Sequence, residues 1–358
     1  MKKGLKKWTL FPLLTAMAVI LSGCGEEYIS ALRPAGTVGK EQFNLLMLAT
    51  SIMTLVVVVV SVLYLLAFAK FRRSKVGEDY MPKQVEGSHT LEVIWTVIPI
   101  VLLLILSVPT VMTTYKLGNV AAMEQVDENG DKTALTVNVS AKLYWWEFEY
   151  PEQGIVTAQE LVVPTNEKVY FNLISADVKH SFWIPAIGGK MDTNVENVNK
   201  FYLIFDKESA DLNDGEGVWY GKCAELCGPS HALMDFKVKS VSRDDFDAWV
   251  AAMQATEGQT ASADSADLGE ATFAANCLGC HAVSGVGSSG ALGPNLTTFG
   301  DRNRVAGFME FNKEELMNWI EDPETFKPGN LMTGKYRDLT DEELDAVADY
   351  LFGLSVEK

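Results

Sequence analysis

Two long apolar segments constrain what this chain can fold into. Residues 43–69 contain no charged side chain, and a second apolar run covers residues 94–115. Each run is long enough to cross a lipid bilayer as a helix, which takes roughly 20 residues. Pro99 and Pro109 interrupt the second run, and membrane helices tolerate proline better than soluble helices do. The sequence therefore predicts a membrane protein anchored by a hairpin of two transmembrane helices.

The charges around the two apolar runs predict the orientation of the hairpin. The basic segment KFRRSK follows the first run directly, at residues 70–75. Because basic residues accumulate on the cytoplasmic side of a membrane, the loop 70–93 is predicted to be cytoplasmic. Residues 24–42 and the chain after residue 116 then lie on the outer side. Glu92 marks the cytoplasmic end of the second run, either as a solvated interfacial acid or as part of a proton path.

The N-terminus has the pattern of a bacterial export signal. Four lysines precede a short apolar stretch, and residues 21–24 read LSGC. This resembles a lipobox, in which the chain is cut before the cysteine and the cysteine receives a lipid. The sequence thus predicts a signal peptide over residues 1–23 and a lipid anchor on Cys24. The alternative is an ordinary signal, or a membrane span that contains Cys24 by chance.

The net charge of the chain bears on its partners. It is −17 at pH 7, and most of the acidic residues follow residue 116. Nucleic-acid binding needs a basic surface, so we expect no nucleic-acid partner. An acidic surface either keeps the external part soluble or attracts a basic partner protein.

Short β-rich runs fill the first external domain. They occur between residues 133 and 245 and are separated by turn signals, and Val169, Phe171 and Leu173 show the alternation of a half-buried strand. Strands at this spacing without intervening helices predict a β-sandwich.

Residues 223–234 read CAELCGPSHALM and combine the side chains of a metal site. They place Cys223, Cys227, His231 and Met234 in one short loop, and His180 lies upstream in HSFWIP. A disulfide is one interpretation, but it leaves the histidine and the methionine unexplained. Zinc is a second, but structural zinc sites use thiolates and imidazoles rather than thioethers. Thiolate, imidazole and thioether together suit copper, either as one ion or as a pair bridged by both cysteines.

A change of composition separates a second external domain from the first. Residues 253–266 are small and polar, which predicts a flexible linker. In the domain after it, 267–358, residues 277–281 read CLGCH, the pattern by which a c-type haem is attached. A redox-active CxxC pair is the alternative.

Helix-start signals replace strand signals in this second domain. Thr340 followed by Glu343 predicts a capping box at the start of the last helix. Asn312 followed by Glu315 predicts the start of another helix. We therefore expect residues 267–358 to form an all-α domain.

These motifs together resemble two known families. The spacing CxxxCxxxHxxM, preceded by HSFWIP, looks like the binuclear CuA site of cytochrome c oxidase subunit II. The lipobox, the hairpin, LEVIWTVIP at 91–99 and YWWEFEY at 144–150 occur in the same order as in that family, and the similarity covers roughly residues 40–245. Residues 267–356 resemble a small bacterial class of cytochrome c.

The first resemblance implies a cupredoxin-like β-sandwich over residues 116–252 that holds two copper ions. Both cysteines would bridge the coppers, each histidine would bind one, and a thioether and a main-chain carbonyl would complete the two sites. The implied ligands are His180, Cys223, the carbonyl of Glu225, Cys227, His231 and Met234. The Glu225 side chain would also reach a magnesium ion shared with subunit I.

The second resemblance implies a covalently attached haem c. Two cysteines would form the thioethers, a histidine and a methionine would be the axial ligands, and a proline carbonyl would orient the histidine. These residues are Cys277, Cys280, His281, Met332 and Pro294. Met309 and Met317 are alternative sixth ligands that we expect to pack in the core.

Two further features acquire roles from the resemblance. Glu92 matches a glutamate of the family near the start of a proton path. The family's aromatic patch, where electrons arrive, often begins with tryptophan, whereas this chain has Tyr144 before Trp145 and Trp146. Each of the three aromatics is a candidate, and at least one of them is expected only to pack.

The sequence therefore predicts a subunit II of a haem–copper cytochrome c oxidase, fused to a cytochrome c and held in the bacterial cell membrane with both soluble domains outside. Electrons would pass from haem c to CuA and on to subunit I, which reduces oxygen in a proton-translocating complex. The expected partners are subunit I, the other membrane subunits and a separate cytochrome c.

Three other functions compete with this prediction. A quinol oxidase subunit II has the same fold without copper, but this chain keeps Cys223, Cys227 and His231. A membrane-anchored copper chaperone or thiol-redox protein needs one span and no haem. A stand-alone electron shuttle needs only one anchor, whereas a hairpin implies packing against other membrane helices.

Overall fold

The computed structural model describes residues 12, 15, 23, 25–77, 80–130, 132–213, 216–287, 290 and 292–357. Cys24 and almost all of the predicted signal peptide lie outside the described residues. The chain divides into two compact units, one formed by residues 41–119 and the other by residues 1–40 and 120–358.

The first unit consists of two long apolar helices and the segment between them. Helix α1 covers Thr37–Phe71 and helix α3 covers His89–Leu117, with the short helix α2 at Arg73–Val76. Both long helices extend beyond the predicted apolar runs, and both are apolar and long enough to cross a membrane. Most of their large apolar side chains are exposed in the isolated chain, as expected for surfaces that contact lipid or other membrane helices. The two predicted helices are confirmed.

The predicted copper domain, residues 116–252, is a sandwich of two five-stranded sheets. The first sheet has the order β3-β2-β1-β5-β8 and the second has the order β4-β10-β9-β6-β7. The strands are β1 Thr136–Lys142, β2 Trp145–Tyr150, β3 Ile155–Ala158, β4 Glu160–Pro164, β5 Lys168–Ser175, β6 His180–Trp183, β7 Met191–Thr193, β8 Asn199–Ile204, β9 Trp219–Cys223 and β10 Asp235–Val241.

Alternating apolar side chains build the core of the sandwich. Val169, Phe171 and Leu173 of β5 are fully buried, which confirms the predicted alternation. Within the second sheet, the rings of Phe182 on β6 and Phe236 on β10 stack with centroids 4.7 Å apart, and across the sandwich Phe182 packs against Phe171 of β5 with centroids 5.5 Å apart. Offset aromatic pairs of this kind stabilise a core beyond the burial of their area. The predicted β-sandwich is confirmed.

A helix and an ordered segment follow the sandwich. Helix α4, Arg243–Gln254, begins at Ser242, whose side chain accepts a hydrogen bond from the Asp245 amide. Its Trp249 ring packs edge-on against Tyr150 of β2, with centroids 5.2 Å apart. In the predicted linker, 253–266, the Thr256 hydroxyl accepts a 2.7 Å hydrogen bond from the Gly285 amide, so this part of the segment is attached to the second domain.

The second soluble domain, predicted over residues 267–358, is a small helical fold. Its helices are α5 Leu268–Asn276, α6 Lys313–Glu321, α7 Pro323–Phe326 and α8 Asp341–Gly353, and a two-stranded ribbon joins β11 Arg304–Val305 to β12 Met309–Glu310. Thr340 and Glu343 form the predicted capping box, and the Asn312 side chain accepts from the Glu315 amide. Both predicted helix starts are confirmed, and the ribbon is an addition to the expected all-α domain.

The close crossing of α5 and α8 depends on one glycine. A Cβ atom on Gly269 would lie 2.2 Å from the Ala346 carbonyl oxygen, so only glycine fits at this contact. The crossing buries Phe273, Val347 and Leu351 in the core that supports the predicted haem site.

The two soluble domains contact each other along the edge of the sandwich. The Val156 amide of β3 donates to the Gly285 carbonyl at 2.9 Å. The Asn303 amide, just before β11, donates to the Glu160 carboxylate of β4 at 2.6 Å. Arg304 forms an ion pair with Glu216 and also donates to the Tyr220 hydroxyl. The second domain is therefore docked on the first through specific hydrogen bonds.

Candidate functional site

Strand pairing brings the two parts of the predicted copper site together. Strand β9 ends at Cys223, and the following loop returns to β10 at Asp235. Strand β6 begins at His180 and pairs with β9 so that Phe182 lies opposite Cys223. His180, which is distant in sequence, thus lies beside the loop that carries the other candidate ligands.

The candidate copper ligands form one compact cluster. The Cys223 and Cys227 sulfurs are 3.9 Å apart, and the ligand atoms of His180 and the two cysteines lie within 4.8 Å of one another. The remaining contacts join His180 Nδ1 to Cys223 Sγ at 3.9 Å, His231 Nδ1 to Cys227 Sγ at 3.6 Å, Met234 Sδ to Cys227 Sγ at 3.9 Å, and Cys223 Sγ to the Glu225 carbonyl oxygen at 3.3 Å. All six residues of the predicted set are therefore brought together.

The chemistry of this cluster fits copper. A disulfide needs sulfurs about 2.05 Å apart, and both cysteines are free and buried. The hydrogen bond from Cys227, with one from His180, lowers the pKa of Cys223 and favours the thiolate that a metal binds. Two thiolates, two imidazoles and a thioether form a soft ligand set that suits copper.

Asp177 is a functional residue that sequence reasoning missed. Its Oδ1 lies 2.7 Å from His180 Nε2, on the side of the ring away from Cys223, so Nδ1 faces the cluster. Burial opposes protonation of this imidazole, but the hydrogen bonds that its ring donates to Asp177 and Cys223 raise the pKa of His180. Asp177 also accepts from the Leu143 amide at 2.7 Å. Its position three residues before the histidine, in DVKH, was the available sequence signal.

We expect Asp177→Asn to weaken copper binding by roughly 10–100-fold, the usual cost of losing a carboxylate that orients a ligating histidine. Copper titration of the purified protein, followed optically, measures the change. Asp211→Asn, at an exposed position, is the control and should bind copper like the wild type. Unchanged affinity in Asp177→Asn would show that His180 is held without the carboxylate.

The three candidate aromatics take different positions. The loop of residues 223–234, which carries most of the candidate copper ligands, is named the copper loop. Trp146 is fully buried beneath it, and the Trp146 indole nitrogen donates to the Met234 carbonyl at 3.3 Å. Tyr144 and Trp145 line a cavity in the second domain. A Cβ atom on Gly228 would lie 2.5 Å from the Tyr144 hydroxyl, so this hydroxyl touches the copper loop directly beside Cys227. Tyr144 therefore contacts both sites.

The cavity contains the predicted haem residues. Its lining is mostly apolar. Among its described lining residues are Cys277, Cys280, His281, Pro294 and Met332, but neither Met309 nor Met317. His281 Nδ1 lies 2.8 Å from the Pro294 carbonyl oxygen, so Nε2 is free to face a metal.

The cavity also fits haem c chemically. Cys277 and Cys280 are free thiols within the described chain, and burial raises the pKa of Cys277 to about 11. Arg302 is buried in the cavity wall, where its terminal nitrogen donates to the Asn295 carbonyl at 2.6 Å and its Nε has no hydrogen-bond partner among the described residues. An apolar cavity with two thiols, a histidine, a methionine and a buried guanidinium matches haem c, which has apolar faces and carboxylate substituents.

Three further predicted positions stand outside the two sets of ligand side chains. Glu92 is in the first turn of α3 and is exposed. The Glu225 carboxylate is 3.4 Å from the Lys190 amine at the surface beside the copper loop. Cys24 lies outside the described residues.

Comparison with known families matches three consecutive parts of the chain. Residues 32–112 match the family described as cytochrome c oxidase subunit II, transmembrane domain. Residues 153–241 match cytochrome c oxidase subunit II, periplasmic domain, and residues 266–355 match cytochrome c.

Individual relatives agree over the full length. The chain is 56% identical to cytochrome c oxidase subunit 2 of Bacillus sp. (strain PS3), covering 100% of both chains. It is 51% identical to cytochrome c oxidase subunit 2 of Bacillus subtilis (strain 168), covering 98% of this chain and 99% of the relative. A crystal structure of the periplasmic domain of cytochrome oxidase subunit II from Bradyrhizobium japonicum is 29% identical, with a TM-score of 0.30, over 33% of this chain and 91% of that one.

The family implies a CuA centre in the sandwich, haem c in the helical domain, and association with subunit I of an oxidoreductase complex in the membrane. The two apolar helices agree with a two-pass membrane anchor. The chain belongs to the cytochrome c oxidase subunit II family, as a haem–copper oxidase subunit that carries its own cytochrome c domain.

Proposed function

We propose that this chain is the electron-receiving subunit of a respiratory haem–copper oxidase. It accepts electrons on its cytochrome c domain and delivers them through the copper domain to subunit I, where oxygen is reduced. One observation carries the proposal: Tyr144 lines the cavity of the predicted haem residues and also touches the loop of the predicted copper ligands.

The proposal assigns two sets of ligands. CuA would be held by His180, Cys223, the Glu225 carbonyl, Cys227, His231 and Met234. Haem c would be held by Cys277, Cys280, His281 and Met332, with Pro294 orienting His281. When bound, the two groups supply one-electron transfer between neighbouring centres. The distances within the copper cluster and the shared haem cavity support the assignment.

The chain's own residues keep both sites rigid and dry. His180, Cys223, Cys227 and Met234 are buried at the end of a sheet, which limits motion of the ligands. Asp177 fixes the His180 ring. Tyr144 is only 4% exposed, so its ring excludes water between the two sites. We assign it as the aromatic that connects them, while Trp145 and Trp146 pack beside it.

The same proposal extends to the orientation of the chain. The basic segment at residues 70–75 supports a cytoplasmic loop over 70–93 and an outer location for both soluble domains. The LSGC motif supports cleavage after residue 23 and lipidation of Cys24. The small polar residues of 253–266 support a tether that keeps the cytochrome c domain at high effective concentration near the copper domain.

Three interactions with other components complete the proposal. The Glu225 carboxylate, exposed beside the copper loop, is assigned to a magnesium ion shared with subunit I. Glu92, in the first turn of α3, is assigned to the start of a proton path in the complex. The net charge of −17 supports a separate basic cytochrome c as a donor to this chain.

Flash-induced injection of one electron into haem c of the assembled oxidase tests the function. In the wild type, the electron should appear at CuA before oxygen is consumed, and an electron that stays on the haem would refute the proposal. Tyr144→Ala should slow the step by roughly tenfold or more, since displacements of about 1 Å between reacting groups cost up to about a hundredfold.

Tyr144→Phe is the matched control, because it keeps the ring and removes only the hydroxyl. It should transfer electrons at nearly the wild-type rate. Equal rates in Tyr144→Ala and wild type, with unchanged optical and EPR spectra, would exclude Tyr144 as the connecting residue.

A further inference from the structure

The interface between the two soluble domains contains a buried lysine. Lys327 follows α7, in the same loop as Met332, and is only 3% exposed. Its amine donates to the Tyr144 carbonyl of the copper domain at 2.9 Å and to the Ala306 carbonyl of its own domain at 2.8 Å. Burying a charged amine costs free energy unless the amine is paired or neutral, so the contacts of Lys327 need an explanation.

The residues beside Lys327 also contact the copper domain. The Ser230 hydroxyl, next to His231, donates to the Pro328 carbonyl at 2.7 Å. A Cβ atom on Gly329 would lie 3.4 Å from the Tyr144 hydroxyl. Residues 327–329 therefore hold the Met332 loop against Tyr144 and against the loop that carries the copper ligands.

The number of acceptors at Lys327 matches an uncharged amine. A neutral amine has two N–H groups, and two carbonyl oxygens accept from it. A protonated lysine has three N–H groups. Among the described residues the third would face only the Phe308 ring, whose centroid is 5.3 Å from the amine and which offers no oxygen acceptor. The charged groups that face Lys327 are Asp235 and Lys237. Asp235 is already paired with Lys222, and Lys237 repels a second positive charge.

We propose that Lys327 is the positioning residue that fixes the cytochrome c domain on the copper domain, and that it does so as a neutral amine, so that docking releases a proton. This inference rests on the proposed function, because the docked arrangement is the one that places Tyr144 between the two redox sites.

The expected pH dependence follows from the burial of two lysines. Burial lowers the pKa of Lys327 to about 7 and that of Lys237, whose amine donates to the Gly307 carbonyl across the interface, to about 8. An exposed lysine titrates near 10.4. The stabilisation of the docked state is therefore complete above about pH 10.4 and is lost as the pH falls towards 7. Between these limits, each proton released on docking increases the equilibrium constant for docking by up to about tenfold per pH unit.

Hydrogen–deuterium exchange on the complete oxidised oxidase measures docking without electron transfer. The amides of Val156 and Asn303 donate across the interface, so their protection factors report undocking. In the wild type, protection should rise between pH 7 and pH 9. Lys327→Met keeps the apolar length but loses both donors, and protection should fall by roughly tenfold or more.

Two further variants separate positioning from a general loss of stability. Lys327→Gln keeps two uncharged N–H donors, so its interface amides should be better protected than those of Lys327→Met. Its protection factors should depend on pH with a slope one proton smaller than that of the wild type. Lys313→Met, which removes a lysine paired at the surface with Asp345 and Asp349, should behave like the wild type.

The outcomes also distinguish this inference from the proposed function. Slower haem-to-copper electron transfer in Lys327→Met, with unchanged haem and copper spectra, supports the positioning role. Wild-type protection and a wild-type pH slope in Lys327→Met would overturn the inference even if electrons still reach CuA. A wild-type oxidase that shows the predicted exchange but no electron transfer would refute the function and leave the docking result standing.

Discussion

Cys227→Ser is expected to abolish the binuclear copper centre. The Cys227 sulfur lies 3.9 Å from the Cys223 sulfur, 3.6 Å from His231 Nδ1 and 3.9 Å from Met234 Sδ, so it links both halves of the cluster. A serine oxygen is a hard ligand and replaces thiolate poorly at copper. Changes to residues that only orient a ligand weaken metal binding by roughly 10–100-fold. Since Cys227 is itself a predicted ligand, we expect its replacement to lower the affinity for copper by more than about a hundredfold.

EPR spectroscopy and copper analysis of the assembled oxidase measure this loss. The wild type should show hyperfine structure shared between two copper nuclei, and the variant should show one copper ion or none. Oxygen consumption with electrons supplied through haem c should fall with the signal, while the haem spectrum stays unchanged. A two-copper spectrum in Cys227→Ser would contradict the assignment of Cys227 as a bridging ligand.

The copper loop was predictable because its chemistry is local. Cys223, Cys227, His231 and Met234 lie within twelve consecutive residues, so any fold of a short loop keeps them close. His180 required long-range information, which the family resemblance supplied and the pairing of β6 with β9 explains. The helix starts at Thr340 and Asn312 were likewise predictable, since a cap is formed by residues three positions apart.

Contacts between domains were not predictable from the sequence. Lys327 gives no local signal, because its partners are carbonyl oxygens at residues 144 and 306, and every residue has a carbonyl. The composition of 253–266 predicts a flexible tether, but composition carries no information about the hydrogen bond that Thr256 accepts from Gly285. The role of Asp177 was only partly predictable. Its contact with His180 is local, but many aspartates precede a histidine without orienting it.

The replacement of both Cys277 and Cys280 by alanine is expected to remove the covalent haem. Both thiols line the cavity with His281 and Met332, and both are free to form thioethers. Without them, haem is held only by its axial ligands and by apolar contacts, and it is lost on denaturation. Haem staining of the denatured subunit should therefore change from positive to negative, and oxygen consumption driven through the cytochrome c domain should stop.

The double variant and Cys227→Ser serve as experimental controls for one another. The predicted haem ligands lie in the helical domain and the predicted copper ligands lie on or beside strands β6, β9 and β10, although Tyr144 and Trp145 of the sandwich also line the haem cavity. Cys277→Ala with Cys280→Ala should therefore keep the two-copper EPR signal, just as Cys227→Ser should keep the haem. Retained covalent haem in the double variant would restore the alternative that the CxxC pair is a redox dithiol. Loss of both centres in either variant would mean that the two domains fold only together.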